Sequence, residues 1–131
     1  MSAAASPTVR ATASSPSSAA TATVYPVGSV FDVAFDEFQV RLTVLSESRL
    51  RFDIAEGPFA KSEEVDIVAT AIRPGVFLVS WVERSGATVV HVEDFAAGLL
   101  HSHATLPDGT FLRMQGPISV AGLTSGMENR G

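Results

Sequence analysis

All three histidines of the chain fall in one stretch, VVHVEDFAAGLLHSHATLPDGTFLRM at 89–114, as His91-x-Glu93 and then His101-Ser102-His103, with Arg113 near its end. A histidine beside a glutamate can move protons near neutral pH, and an arginine can hold a carboxylate or an enolate. Imidazoles and a carboxylate are also donors for zinc or non-haem iron. Either chemistry needs the side chains on a common face. The elements that carry them therefore decide what they can do.

With 131 residues the chain is long enough for one domain with a substantial core. Its formal net charge of −5 and lack of a basic stripe argue against nucleic acid and against anionic membrane surfaces as partners. The absence of cysteine excludes disulfides, thiolate metal sites and cysteine nucleophiles. No apolar run reaches the roughly 18 residues that span a bilayer. The opening MSAAASPTVRATASSPSSAATATVYPVG has neither the basic start nor the apolar run of a signal peptide, so a bacterial cytoplasmic protein is expected. Rich in Ala, Ser, Thr and Pro, residues 1–27 read as a disordered tail. The body of the protein is expected at 28–120, with a flexible tail at 121–131.

From Gly28 onward, short runs of Val, Phe, Ile, Leu and Thr alternate with turn signals. Strands are predicted near 29–35, 38–45, 49–55, 64–72, 76–83, 87–95, 99–106 and 110–116. Val40, Leu42 and Val44 alternate with Gln39, Arg41 and Thr43, the mark of a strand with one face in water. Eight short strands with hairpin-length links predict an all-β, up-and-down antiparallel barrel, wide enough for side chains or one small ligand. EGPFAKSEE is the longest loop and reads as a solvated connection rather than a lid.

Three links share a form: Glu83-Arg84-Ser85-Gly86-Ala87, Phe95-Ala96-Ala97-Gly98-Leu99 and Leu106-Pro107-Asp108-Gly109-Thr110. Each suits a three-residue hairpin whose glycine occupies the left-handed position. On that register Glu93 faces His101, His91 faces His103, His103 faces Arg113 and His101 faces Gln115. One face then carries Phe77, Val79, Trp81, Val89, His91, Glu93, His101, His103, Phe111, Arg113 and Gln115, and is expected to line the lumen. The opposite face is mostly aliphatic and, lying outside, predicts a homodimer. A one-residue slip at FAAG would separate the two histidine motifs.

FDVAFDEFQVRLTVLSESRLRF, VDIVATAIRPGVFLVSWVERSGATVVHVEDF and LPDGTFLRMQG together resemble the MoaF-like family, named after a molybdenum-cofactor biosynthesis protein. The resemblance covers about 28–117 and implies a calycin (lipocalin-like) barrel with an internal pocket. Trp81, His91, Glu93 and Arg113 fall within its motif, whereas His101 and His103 depart from it. Such barrels host binding, transport and isomerase, cyclase or lyase chemistry alike.

The expectation is therefore a barrel that binds a small organic molecule in its lumen, in bacterial secondary or cofactor metabolism. Trp81, Phe77, Val79, His101, His103, Phe111 and Gln115 would form its walls. The alternative is a cofactor-independent isomerase, cyclase or lyase with Glu93, His91 and Arg113 as acid–base and anion-stabilising groups. H-x-E with H-S-H lacks a diagnostic metal spacing, so neither metal nor cofactor is expected. Ser80 has no nucleophile elbow around it. A satisfied polar cluster without chemistry is the remaining reading.

Overall fold

A computed structural model describes residues 18–123. Nine strands form one antiparallel sheet: β1 (Ser29–Ala34), β2 (Gln39–Ser46), β3 (Arg49–Ile54), β4 (Lys61–Asp66), β5 (Val68–Arg73), β6 (Val76–Val82), β7 (Thr88–Asp94), β8 (Leu99–Thr105) and β9 (Phe111–Leu123). Their order is β4-β3-β2-β1-β9-β8-β7-β6-β5. The sheet's two edges are thus consecutive pieces of chain, and the sheet curls into a nearly closed barrel. Closure of this kind leaves little free edge for aggregation.

The eight expected strands became nine because the single run at 64–72 serves two partners. Val65 and Ile67 both point inward, so the hydrophobic alternation never breaks. The pairing does: β4 lies along β3 while β5 lies along β6. Ile67 marks the crossing, its amide donating to the Ser48 carbonyl at 2.9 Å. The last strand, expected to stop at 116, continues to Leu123. Its first half pairs with β8 as far as Pro117, and its second half pairs with β1 from Ile118. Proline lacks an amide hydrogen and stands where the strand changes partners, a position a central strand tolerates.

Large aliphatic and aromatic side chains fill the lower barrel. Phe31, Leu42, Leu50, Phe77, Val79 and Leu100 are almost wholly buried. Phe95 stacks on Phe31 with ring centroids 4.6 Å apart. Outside, charge pairs such as Arg41 with Asp32 and Arg49 with Asp66 cross between neighbouring strands. Leu78, Val82, Val90 and Val92 stand exposed on the outer face of β6 and β7, so the expected aliphatic outer face holds on these two strands and not on β8 and β9.

The supposed tail is ordered from Ser18 on. A single helical turn at 18–20 leads into a strap beneath the barrel, where Ala19 and Tyr25 are buried. The Gly75 amide donates to the Ala22 carbonyl at 2.8 Å, and the Gly28 amide to Val44 at 2.9 Å. Composition alone misleads here, because one buried tyrosine and a few backbone bonds anchor a segment of otherwise small side chains. Residues 1–17 and 124–131, where the tails were expected, lie outside the described residues.

Candidate functional site

Two of the three similar links are alike in structure. Glu83 and Ala87, and likewise Leu106 and Thr110, close three-residue hairpins in which Gly86 and Gly109 have φ of 100° and 92°. The FAAG link differs. Asp94, not Phe95, pairs with Leu99, so the loop holds four residues. The Asp94 carboxylate accepts from the Ala97 amide at 2.9 Å, and the Phe95 amide donates to Gly75 at 2.7 Å instead of to its own hairpin. Phe95 leaves the ladder to join Phe31 and Phe77 in the floor. Its extra loop residue puts Leu100, rather than Leu99, fully inside.

That slip reverses β8. His91 faces Ser102, Glu93 faces Leu100, and Val92 and Val90 face His101 and His103. The pairings of His101 with Gln115 and of His103 with Arg113 are as expected, but the whole set lies outside. His101, His103, Phe111, Arg113 and Gln115 are therefore corrected from lumen to outer surface. The Arg113 guanidinium lies over the Phe111 ring at 4.7 Å, and the His103 ring meets the same phenylalanine edge-on. Burying an arginine and two more imidazoles would cost far more than burying Ser102, Ala104, Leu112 and Met114, which take the inward places. Substituting His101, His103 or Arg113 by alanine should change stability by no more than about 0.5 kcal/mol, checked by denaturant midpoints.

The inward expectations hold for Phe77, Val79, Trp81, His91 and Glu93. Phe77 and Val79 belong to the packed floor rather than to an open wall. Above them Glu93 is 0% exposed and His91 4%. The Tyr25 hydroxyl donates to Glu93 Oε1 at 2.6 Å, and His91 Nδ1 lies 3.0 Å from Glu93 Oε2. A carboxylate only accepts, so with Glu93 ionised the hydrogen sits on Nδ1. In the neutral imidazole Nε2 is then the acceptor, on the ring edge turned away from Glu93.

Burial first, and the Glu93 carboxylate second, hold the Tyr25 phenol well above its ordinary value. A folded-state pKa raised in this way gives stability that is fully present below about pH 10 and is lost as pH climbs beyond it. Tyr25 is the chain's single tyrosine, so phenolate absorbance reads this one group. The expected titration shows no phenolate near pH 10 and a signal that appears only with alkaline loss of the fold. Free titration near pH 10 in a folded protein would contradict the buried bond.

Above His91 an inner chamber of about 70 Å³ is lined by Phe35, Phe38, Val40, Leu42, Phe52, Ile54, Trp81, Glu83, Val89, His91, Ser102, Ala104 and Met114. It shares Phe52, Ile54, Glu83, Val89 and Ala104 with a wider vestibule of about 300 Å³ at the barrel mouth. Pro58, Phe59 and Lys61 line that vestibule, so the longest loop is a mouth wall and not merely a solvated connection. At the rim, Lys61 Nζ sits 2.7 Å from Glu83 Oε1, and Trp81 Nε1 donates to Glu83 Oε2 at 3.2 Å. Trp81 also meets the His91 ring edge-on, centroids 4.8 Å apart.

Tyr25, Ser102, Lys61 and Glu83 escaped the sequence reading. Tyr25 had a signal, being the one aromatic residue in a stretch of Ala, Ser, Thr and Pro. Ser102 had one too, as the small residue between two histidines that an inward histidine pair would displace. Among the described residues no group of three His, Cys, Asp or Glu side chains is placed to hold a metal ion. No helix of the described residues is long and apolar enough to cross a membrane.

Fold and cavity together define a calycin-like β-barrel with a mouth at one end and a polar patch deep in its lumen. The MoaF-like family profile matches residues 27–119, and the chain belongs to that family. Among solved structures, it is similar to a Burkholderia vietnamiensis protein described provisionally as a β-lactamase. The two share 27% identity and a TM-score of 0.70, over 72% of this chain and 94% of that one. No curated protein matches the sequence significantly.

Proposed function

We propose that this protein binds a small organic molecule in its lumen, admitted through the Lys61–Glu83 mouth and held against His91 and Ser102. One observation carries the reading. A mostly apolar passage with several aromatic walls ends on buried polar groups whose hydrogen-bonding capacity is not used up, which is the usual composition of a ligand site. Arg113, on the outer surface, has no part in it. The β-lactamase description of the structural neighbour gains no support from this sequence. The S-x-x-K signature is missing, since Pro58 stands three residues before Lys61, the chain's single lysine.

Trp81 is the chain's single tryptophan and lines the chamber, so its fluorescence reports occupancy directly. A small-molecule screen should find compounds that change Trp81 emission and stabilise the fold, by about 2.7 kcal/mol at 100 times the dissociation constant. Ala104 lines both vestibule and chamber. Ala104→Phe should block the passage and abolish the response, while Arg113→Ala should leave it intact. The opposite pattern would place the ligand on the outer surface.

The fixed imidazole supports a second reading, an acid–base lyase, isomerase or cyclase. A histidine whose Nδ1–H is held by a buried carboxylate presents Nε2 as a general base. Glu93→Gln separates the two. Turnover of a found substrate that collapses while binding persists favours the enzyme. Loss of binding alone favours the carrier.

A further inference from the structure

The deep end of the lumen specifies more than a small molecule. Ser102 is 3% exposed and His91 4%, and they face each other across β7 and β8. His91 spends Nδ1 on Glu93, while neither its Nε2 nor the Ser102 hydroxyl has a hydrogen-bond partner among the described residues. Buried polar groups left in this way cost stability unless something fills them. What fills them must match one acceptor, Nε2, and one hydroxyl that can donate or accept.

Resting on the lumen-binding reading, we infer that the ligand is a phenol-type molecule, whose ring hydroxyl donates to His91 Nε2 and accepts from Ser102 Oγ. The count of donors and acceptors selects it. A carboxylate would set its lone pairs against Nε2 and bring a second anion close to buried Glu93. An ammonium has donors only, so it would leave the Ser102 hydroxyl hydrogen without an acceptor, and its charge would be stripped of water. The walls select the ring. Phe35, Phe38, Phe52 and Trp81 line the inner chamber, and Phe52 and Trp81 lie nearly parallel with centroids 6.0 Å apart. At about 70 Å³ the chamber admits the hydroxyl-bearing edge of one ring, and the vestibule of about 300 Å³ takes the remainder.

Calorimetric titration of the full chain with 4-ethylphenol, 4-ethyltoluene, 4-ethylbenzoate and 4-ethylbenzylamine tests this, with Trp81 emission reporting lumen occupancy. The phenol is expected to bind about tenfold or more tighter than the toluene, which cannot satisfy the two polar groups. Ser102→Ala should cut that ratio to less than about threefold, the hydroxyl contact being worth roughly one hydrogen bond. Removing an unpartnered buried hydroxyl leaves the fold intact. Equal binding of phenol and toluene in the lumen would overturn the phenol assignment and leave the lumen reading standing. Tightest binding by the benzoate or the benzylamine would do the same. If none of the four changes Trp81 emission, the phenol assignment falls, and the wider screen with Ala104→Phe decides the lumen reading separately.

Discussion

Replacing Glu93 with alanine is expected to cost about 3–5 kcal/mol, more than any substitution on the outer face. The carboxylate is wholly buried and accepts from Tyr25 on one oxygen and His91 on the other. Alanine leaves two buried donors without an acceptor and opens a void between floor and chamber. For a domain of this size the melting temperature should fall by ~10–20 °C. Glu93→Gln is the informative partner. Its amide oxygen can still accept from Tyr25, while its NH2 group must donate toward His91. The imidazole then moves its hydrogen to Nε2, and the acceptor facing the chamber becomes a donor. Stability should drop by only about 1 kcal/mol, yet a ligand hydroxyl that donates to Nε2 should lose its partner. Thermal unfolding measures the first effect, and imidazole nitrogen shifts measure the second.

Gly116→Ala should cost about 3 kcal/mol for a different reason, the meeting of two backbones. A methyl group at this position would lie 2.1 Å from the Ala34 carbonyl oxygen and 2.7 Å from its carbon. Neither neighbour is the end of a flexible side chain, so β1 would have to move away from β9. That junction is where the long strand passes from β8 to β1, and it holds the barrel closed. Gly86→Ala provides the contrast. Gly86 has φ of +100° with nothing within 4 Å of an added methyl, so only the left-handed backbone is penalised, by about 1 kcal/mol. Equal costs in urea unfolding would show that β1 and β9 can separate freely, against the packing described above.

Much of this fold is legible in the sequence because the barrel's inner face is apolar and its strands alternate. Val40, Leu42 and Val44 announce their direction by their polar neighbours, while Trp81 and Val79 share with Phe77 a face too aromatic to leave in water. Hairpins at Gly86 and Gly109 follow from turn chemistry. The site was legible on β6 and β7, where Trp81, His91 and Glu93 point inward as read. It was not legible on β8, because the FAAG turn has two solutions one residue apart. Local turn propensity favours the three-residue loop. Tertiary packing overrides it by drawing Phe95 into the floor and capping the longer loop with Asp94. Leu99 and Leu100 are both leucines, so hydrophobicity cannot choose between them. Polar cost can: His101, His103 and Arg113 are dearer to bury than Ser102, Ala104 and Met114. Tyr25 was hidden for another reason, its partner Glu93 being 68 residues away.

The most direct measurement is a titration of ¹⁵N-histidine-labelled protein with 4-ethylphenol, following the three imidazoles by NMR. His91 is expected to start with its hydrogen on Nδ1 and its Nε2 resonance to move on binding, while His101 and His103 stay where they are. Shifts at His101 and His103 with a silent His91 would contradict this, placing the ligand on the outer surface of β8 rather than in the lumen.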